Sequence, residues 1–187
     1  MSFYTREELK KIGFKSLGTN VLISDKCSIY SPEKIEIGNN VRIDDFSILS
    51  GDIKIGNYVH IAAFSALFGG AGIIMEDFTG ISSRVTIYSV SDDYSGEYLT
   101  NPTVPNKYKK VQSEQVILKK HSLVGASSII LPGVTLGVGT SIGANSLVTK
   151  STEDWTIYFG SPIKKLKSRK QDLLKLEEEL LEEEKNV

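Results

Sequence analysis

Cysteine is almost missing from these 187 residues: Cys27 stands alone, so no disulfide can form within the chain. A reducing cytoplasm is the expected compartment for such a composition. Histidine is nearly as scarce, with only His60 and His121. Without a cysteine–histidine cluster there is no structural zinc site to assign, and two poorly spaced histidines cannot supply a three-histidine metal centre. An excess of charge of one sign is missing too. Lys and Arg total 22 against 23 Asp and Glu, a formal net charge of −1, so no global basic field points to nucleic acid or to an anionic membrane. No run approaches the roughly 18 apolar residues of a spanning helix. Met1 to Lys10 is polar and charged, with no secretory apolar core, and no phosphate-binding glycine loop is present. The remainder, 40% hydrophobic and 24% charged, fits one soluble domain with a real core.

Within that ordinary composition lies a repeat. Leu17, Ile23, Ile29 and Ile35 are six apart; after a slip of two, Ile37, Ile43 and Leu49 resume the spacing. Another slip near Ile53 leads into Ile55, Ile61, Leu67 and Ile73, and Ile81 and Ile87 follow. The pattern is cleanest in Val124, Ile130, Leu136, Ile142 and Val148, and glycine often follows the aliphatic residue. Period six fits neither a 3.6-residue helix nor an alternating strand alone. It fits a solenoid in which each hexad forms one flat face and three hexads close a triangular coil, the recurring aliphatic pointing inward onto its counterparts. A sandwich or barrel of short strands would not hold aliphatics to such a lattice. The class is therefore all-β, a parallel β-helix.

Two ends and one insertion depart from the lattice. Residues 1–16 hold a short capping helix, with Thr5 and Glu8 as a capping box and Gly13 as its stop, covering the open end of the first coil. The solenoid spans 17–165, and 166–187 read as a second helix in which Leu173, Leu176 and Leu180 share a face. Its many glutamates read as a solvated face. Residues 91–115 carry Tyr94, Tyr98, Leu99, Tyr108 and two prolines, a composition that argues for an ordered, functional loop over a disordered one.

On these residues the chain resembles the hexapeptide-repeat acyltransferases over roughly Leu17 to Arg169. Left-handedness of the β-helix is implied by that resemblance alone, since parallel crossovers are normally right-handed. The loop Ser91-Asp92-Asp93-Tyr94-Ser95-Gly96, followed by Thr100-Asn101-Pro102-Thr103-Val104-Pro105, is similar to that of sugar acyltransferases from surface-polysaccharide gene clusters. The resemblance implies a homotrimer whose groove between subunits takes acyl-CoA, as co-substrate and not as a resident cofactor, and a sugar or nucleotide sugar. It also implies that Gly125, Ala126, Gly143, Ala144, Thr149, Lys150, Pro162, Lys164 and Lys165 hold the coenzyme. Substrate contacts fall to Tyr94, Asn101, Ser83 and Arg84, with a backbone amide near Ser83 or in a C-terminal coil stabilising the oxyanion.

One departure from the family decides the expected chemistry. Many members carry a histidine as general base at or beside the position of Asp92, and this loop contains none. Asp92, Asp93 and Glu114 are the candidates left, as crowded carboxylates expected to raise one another's pKa. A carboxylate suits a sugar hydroxyl poorly, whereas an amine needs only its ammonium precursor held and oriented. Transfer to the amino group of a nucleotide-linked amino sugar is therefore favoured. O-acetylation of a sugar or galactoside, with His121 as base, is the alternative, and a non-catalytic binding solenoid the second.

Overall fold

The computed structural model describes residues 2–185; residues 1, 186 and 187, the outermost ends of the two terminal assignments, lie outside the described residues. The chain winds into a left-handed parallel β-helix of about seven turns with three flat faces. The first face stacks Leu22–Ile23, Arg42–Ile43, His60–Ile61, Gly80–Ile81, Leu123–Val124, Ser141–Ile142 and Thr156–Phe159. The second runs from Ser28–Tyr30 through Thr86–Tyr88 to Ile129–Ile130 and Leu147–Val148. The third includes Ser16–Leu17, Ile35–Ile37, Val116–Leu118 and Thr135–Leu136, and the long strands Ile48–Ile55 and Ala66–Met75 serve the second and third faces together.

Register explains the six-residue spacing. On the first face Ile43, Ile61, Ile81, Val124 and Ile142 are successive backbone partners, and each is buried. The slips of two arise at the corner between the second and third faces: Leu49 and Ile53 are four apart, but their partners Ile29 and Ile35, and Leu67 and Ile73, are six apart. On the third face each strand turns two alternate side chains inward, as a pleated strand does: Ile35 with Ile37, Ile53 with Ile55, Ile73 with Met75 and Val116 with Leu118 are all buried. The glycine after the aliphatic answers close approach, not left-handed backbone: a Cβ on Gly38 would lie 2.6 Å from the Gly56 carbonyl oxygen of the next coil.

Between the third and first faces the corner residue adopts left-handed backbone in successive coils, at Asn20, Asn40, Tyr58, Phe78, His121, Gly139 and Trp155. The column begins with the Asn20–Asn40 side-chain hydrogen bond of 2.9 Å and continues as stacked rings. Tyr58 and Phe78 are 4.6 Å apart and Phe78 and His121 5.3 Å, and beyond Gly139 the Trp155 ring is tilted 34° to His121 at 6.1 Å.

At the N-terminus α1, Arg6–Ile12, is capped by Thr5, with the full Thr5–Glu8 capping box and Gly13 left-handed at its end, and it buries Leu9. At the C-terminus the structure corrects the expected boundary. Lys164–Ser168 is a strand, antiparallel to Thr156–Phe159, because the last coil would otherwise expose an unpaired edge. The helix α2 begins only at Leu173 and runs to Lys185. It lies against the aromatic corner, where Leu173, Leu176 and Leu180 line a depression with Phe78 and Leu123. Its acidity is not all solvated: Glu177 takes hydrogen bonds from Lys120 and, at 2.8 Å, from His121 Nε2, both partners belonging to the solenoid.

Two measurements probe this architecture. Ile61→Ala, in the middle coil and fully buried, should cost about 3 kcal/mol in denaturant unfolding through lost apolar contact and the cavity left behind. A loss under about 1 kcal/mol would mean that the coils collapse around the gap. Burial pushes the Glu177 carboxyl up, but the Lys120 and His121 hydrogen bonds outweigh it and hold its pKa below the ordinary 4.5. A carboxylate more acidic folded than unfolded stabilises above its unfolded pKa, and this contribution fades as pH falls through the folded value. Glu177→Gln should therefore unfold at a lower temperature than wild type at pH 7, with the difference narrowing below about pH 4.5. A difference independent of pH would remove the ionised clamp from the account.

Candidate active site

The insertion leaves the corner between the second and third faces, where the chain passes from Thr86–Tyr88 to Val116–Leu118. It is built on an antiparallel pair, Val90–Asp92 with Val111–Ser113, and contains a 3-10 turn at Asn106–Tyr108. This backbone order agrees with the ordered loop that the composition suggests. Between this hairpin and the second face lies a groove of about 920 Å³. Asp92, Asp93 and Tyr94 line it, so three of the residues chosen from sequence come together there. The groove also holds Tyr88, Lys110 and Gln112, with Ile129, Leu131 and Leu147 from the face. These were not foreseen. The signal for them was faint: Tyr88, Ile129, Leu131 and Leu147 fall at outward positions of hexads whose inward residue dominates the pattern, and Lys110 and Gln112 lie on the insertion, which has no period.

The two aspartates are held differently. Asp92 accepts the Asn101 backbone N–H at 3.2 Å, which ties the first arm of the insertion to the loop beyond it. Asp93 accepts the Ser95 hydroxyl at 2.7 Å. The Ser95 hydroxyl, helped by backbone N–H groups of Ser95, Gly96 and Tyr98, holds the Asp93 carboxyl below its ordinary value against a smaller opposing effect of burial. The sequence argument that crowded carboxylates would raise the pKa is corrected for Asp93. Its donors are nearby hydroxyl and amide groups that stabilise the charged form.

Glu114 does not join the aspartates. Its carboxylate accepts from the Gln112 side chain at 2.9 Å and stands against Gly133, outside the residues that line the groove. Asn101 also turns its side chain to its own loop, accepting from the Thr103 N–H at 3.0 Å and hydroxyl at 2.6 Å. Ser83 and Arg84 occupy the opposite edge of the second face, at the corner shared with the first. Ser83 lines a separate depression of about 220 Å³ with His60 and Leu123, and the Arg84 guanidinium stacks 5.7 Å from the Phe64 ring.

Of the residues chosen for the coenzyme, Gly125, Ala126, Gly143 and Ala144 stack at that same corner in consecutive coils. A Cβ on Gly125 would lie 2.5 Å from the Ala144 nitrogen, so coil spacing alone requires glycine there. Thr149 and Lys150 are exposed just beyond Leu147–Val148. Pro162 is exposed in the turn before Lys164–Ser168, where Lys164 is exposed too and Lys165 pairs with Glu153 at 2.6 Å. Neither histidine lines the groove. His60 projects from a strand of the first face onto Asp44, which Arg42 also holds. His121 is buried at the aromatic corner against Glu177.

Known proteins share this arrangement. The family described as Bacterial transferase hexapeptide (six repeats) matches residues 34–69. The chain is 46% identical over 180 residues, 95% of its length and 94% of the relative's, to the dTDP-4-amino-4,6-dideoxy-D-glucose acyltransferase of Escherichia coli. Among solved structures, AntD, an N-acyltransferase from Bacillus cereus in complex with dTDP and 3-hydroxybutyryl-CoA, superposes with a TM-score of 0.97 at 57% identity, covering 98% of both chains. A serine-to-cysteine variant of AntD, solved with dTDP-4-amino-4,6-dideoxyglucose and coenzyme A, gives 0.96 at 57% identity over 97% of this chain and 98% of that one. Solenoid register, the ordered hairpin and near full-length identity agree: the chain belongs to the hexapeptide-repeat sugar acyltransferases.

Proposed function

We propose that this enzyme transfers an acyl group from acyl-CoA to the amino nitrogen of dTDP-4-amino-4,6-dideoxyglucose or a close relative of that sugar, with Asp93 as the catalytic residue and Asp92 beside it. The observation that carries the reading is the groove itself, which presents two carboxylates and no histidine. A carboxylate kept ionised at neutral pH is a good counter-ion for the sugar's ammonium and a weak acceptor for a hydroxyl proton. AntD has been solved as variants of one serine and one aspartate, the residue types that Ser83 and Asp93 supply here.

In this mechanism Asp93 holds the ammonium and orients it, and the proton shed on forming the free amine passes to solvent. The amine nitrogen attacks the thioester carbonyl carbon, the C–N bond forms, and collapse of the tetrahedral adduct breaks the C–S bond. The nitrogen then loses a second proton and the departing thiolate gains one, so one amide and one thiol are formed. Positioning supplies most of the acceleration, because a free amine is already nucleophilic. Tyr94 borders the acceptor, and Asn101 acts through Asp92. Glu114 stands outside the groove and takes a supporting role in the hairpin.

The coenzyme runs along the corner of Gly125, Ala126, Gly143 and Ala144 towards Thr149 and Lys150, with Pro162, Lys164 and Lys165 near its nucleotide end. Ser83 and Arg84 stand at the far edge of the second face from the hairpin. In a homotrimer, the Ser83 corner of one subunit meets the hairpin of the next and completes the site. Among the described residues no helix is long and apolar enough to cross a membrane, and the half-buried free Cys27 fits a reducing cytoplasm.

Free thiol release from acetyl- and butyryl-CoA should be seen with dTDP-4-amino-4,6-dideoxyglucose and not with dTDP-glucose or plain galactosides. Release with the hydroxyl acceptors alone would restore the O-acetyl reading. Asp93→Asn should lower kcat/KM for the amino sugar by about 10²- to 10³-fold; unchanged turnover would take Asp93 out of the mechanism.

A further inference from the structure

The outer surface of the second face changes character along the solenoid. One outward column reads Ser28, Ile48, Ala66, Thr86, Ile129 and Leu147, each in register with the next. Before the hairpin its members are mostly small or polar. Under the hairpin, at Ile129 and Leu147, it becomes wholly aliphatic, and Leu131 and Pro132 broaden it. Ile129 keeps 40% of its surface exposed there. No core demand places it outside, since Ile130 fills the inward position of the same strand. An exposed aliphatic floor, walled by the hairpin and bordered by Asp92 and Asp93, is a surface built to be covered.

We infer that Ile129 and Leu147, with Leu131 and Pro132, form an acyl-chain subsite that selects donors longer than acetyl. This rests on the proposed acyl transfer to an amino sugar. Three features favour the acyl chain as occupant. A sugar ring presents hydroxyls, which an aliphatic floor would leave without partners. The acyl tail is the apolar part of the donor, and the corner from which this floor starts is the one that meets the next subunit's hairpin in the proposed trimer, so the tail lies on the floor while the thioester stays beside the reacting amine. The floor also continues the corner assigned to the coenzyme: Gly125 and Ala126 lead directly into Ile129, and Gly143 and Ala144 into Leu147, in the same two coils. A donor lying along that corner would deliver its acyl group to the floor.

The test is the ratio of kcat/KM for butyryl-CoA to that for acetyl-CoA, with dTDP-4-amino-4,6-dideoxyglucose as acceptor, in wild type, Ile129→Thr and Leu147→Thr. Threonine repeats the Thr86 side chain of the same outward column and is β-branched, which suits a strand at both positions. Two methylenes on an aliphatic floor should give wild type a ratio of about ten, and each substitution should lower it roughly threefold. A ratio within a variant is insensitive to a general loss of activity. Affinities of butyryl-CoA and acetyl-CoA, measured by calorimetry without acceptor, should show the same preference and its loss. A wild-type ratio near one, or variants that leave it unmoved, would overturn the subsite. An unmoved ratio with a smaller oligomer by light scattering would assign the floor to a neighbouring copy and overturn it equally. If no donor is turned over with the amino sugar but the calorimetric preference and its loss remain, the proposed acceptor fails and the subsite stands.

Discussion

Each coil of this protein hydrogen-bonds to the coil before it and the coil after it, in parallel and in strict register. Everything else follows from that constraint. A side chain pointing inward must fit directly on its counterparts one coil away, so Ile43, Ile61, Ile81, Val124 and Ile142 form one continuous column. Coil spacing leaves no room for a side chain at Gly18, Gly38, Gly56 or Gly125. It also brings like residues together at the corners, where asparagines pair and rings stack. A solenoid held by nearest-neighbour terms needs closure at both ends, which α1 supplies at the first coil and the antiparallel Lys164–Ser168 strand at the last.

The same constraint confines chemistry to what the lattice does not use. Inward positions belong to the core and corners to close stacking, so reactive groups can stand only on outward positions or on an insertion. The hairpin at Val90–Asp92 and Val111–Ser113 carries the aspartates over the second face, and the groove forms because a flat wall and an ordered arm meet at one corner. Asp93 is then tuned by its own turn: the Ser95 hydroxyl and local N–H groups keep it acidic. This suits binding of a cation better than removal of a hydroxyl proton, in line with an amino-sugar acceptor.

Legibility from sequence followed how often a feature is repeated. The inward column recurs six residues apart and could be read directly, as could the Thr5–Glu8 capping box, a purely local signal. The slip at Ile37 was visible but unexplained until the structure placed two extra residues at the corner between the second and third faces, between Ile29 and Ile35. Single events were harder. Lys164–Ser168 looks like a helix start because its lysines have no period, and its strand pairing comes from an edge several residues away. Glu177 sits among solvated glutamates in sequence, yet it docks the helix on Lys120 and His121, some 56 residues distant along the chain.

By itself, then, the sequence determined the solenoid, its interruption and the residue types available for chemistry, because a short period writes local geometry into every hexad. Tertiary structure alone decided which of those residues share a site. It joined Asp92, Asp93 and Tyr94 to Ile129 and Leu147, and it set Glu114, Asn101 and both histidines apart from that groove. The reason is physical. A lattice specifies which way each side chain points, but not how a folded insertion lies against it, and that depends on hairpin register and long-range packing which no six-residue window contains.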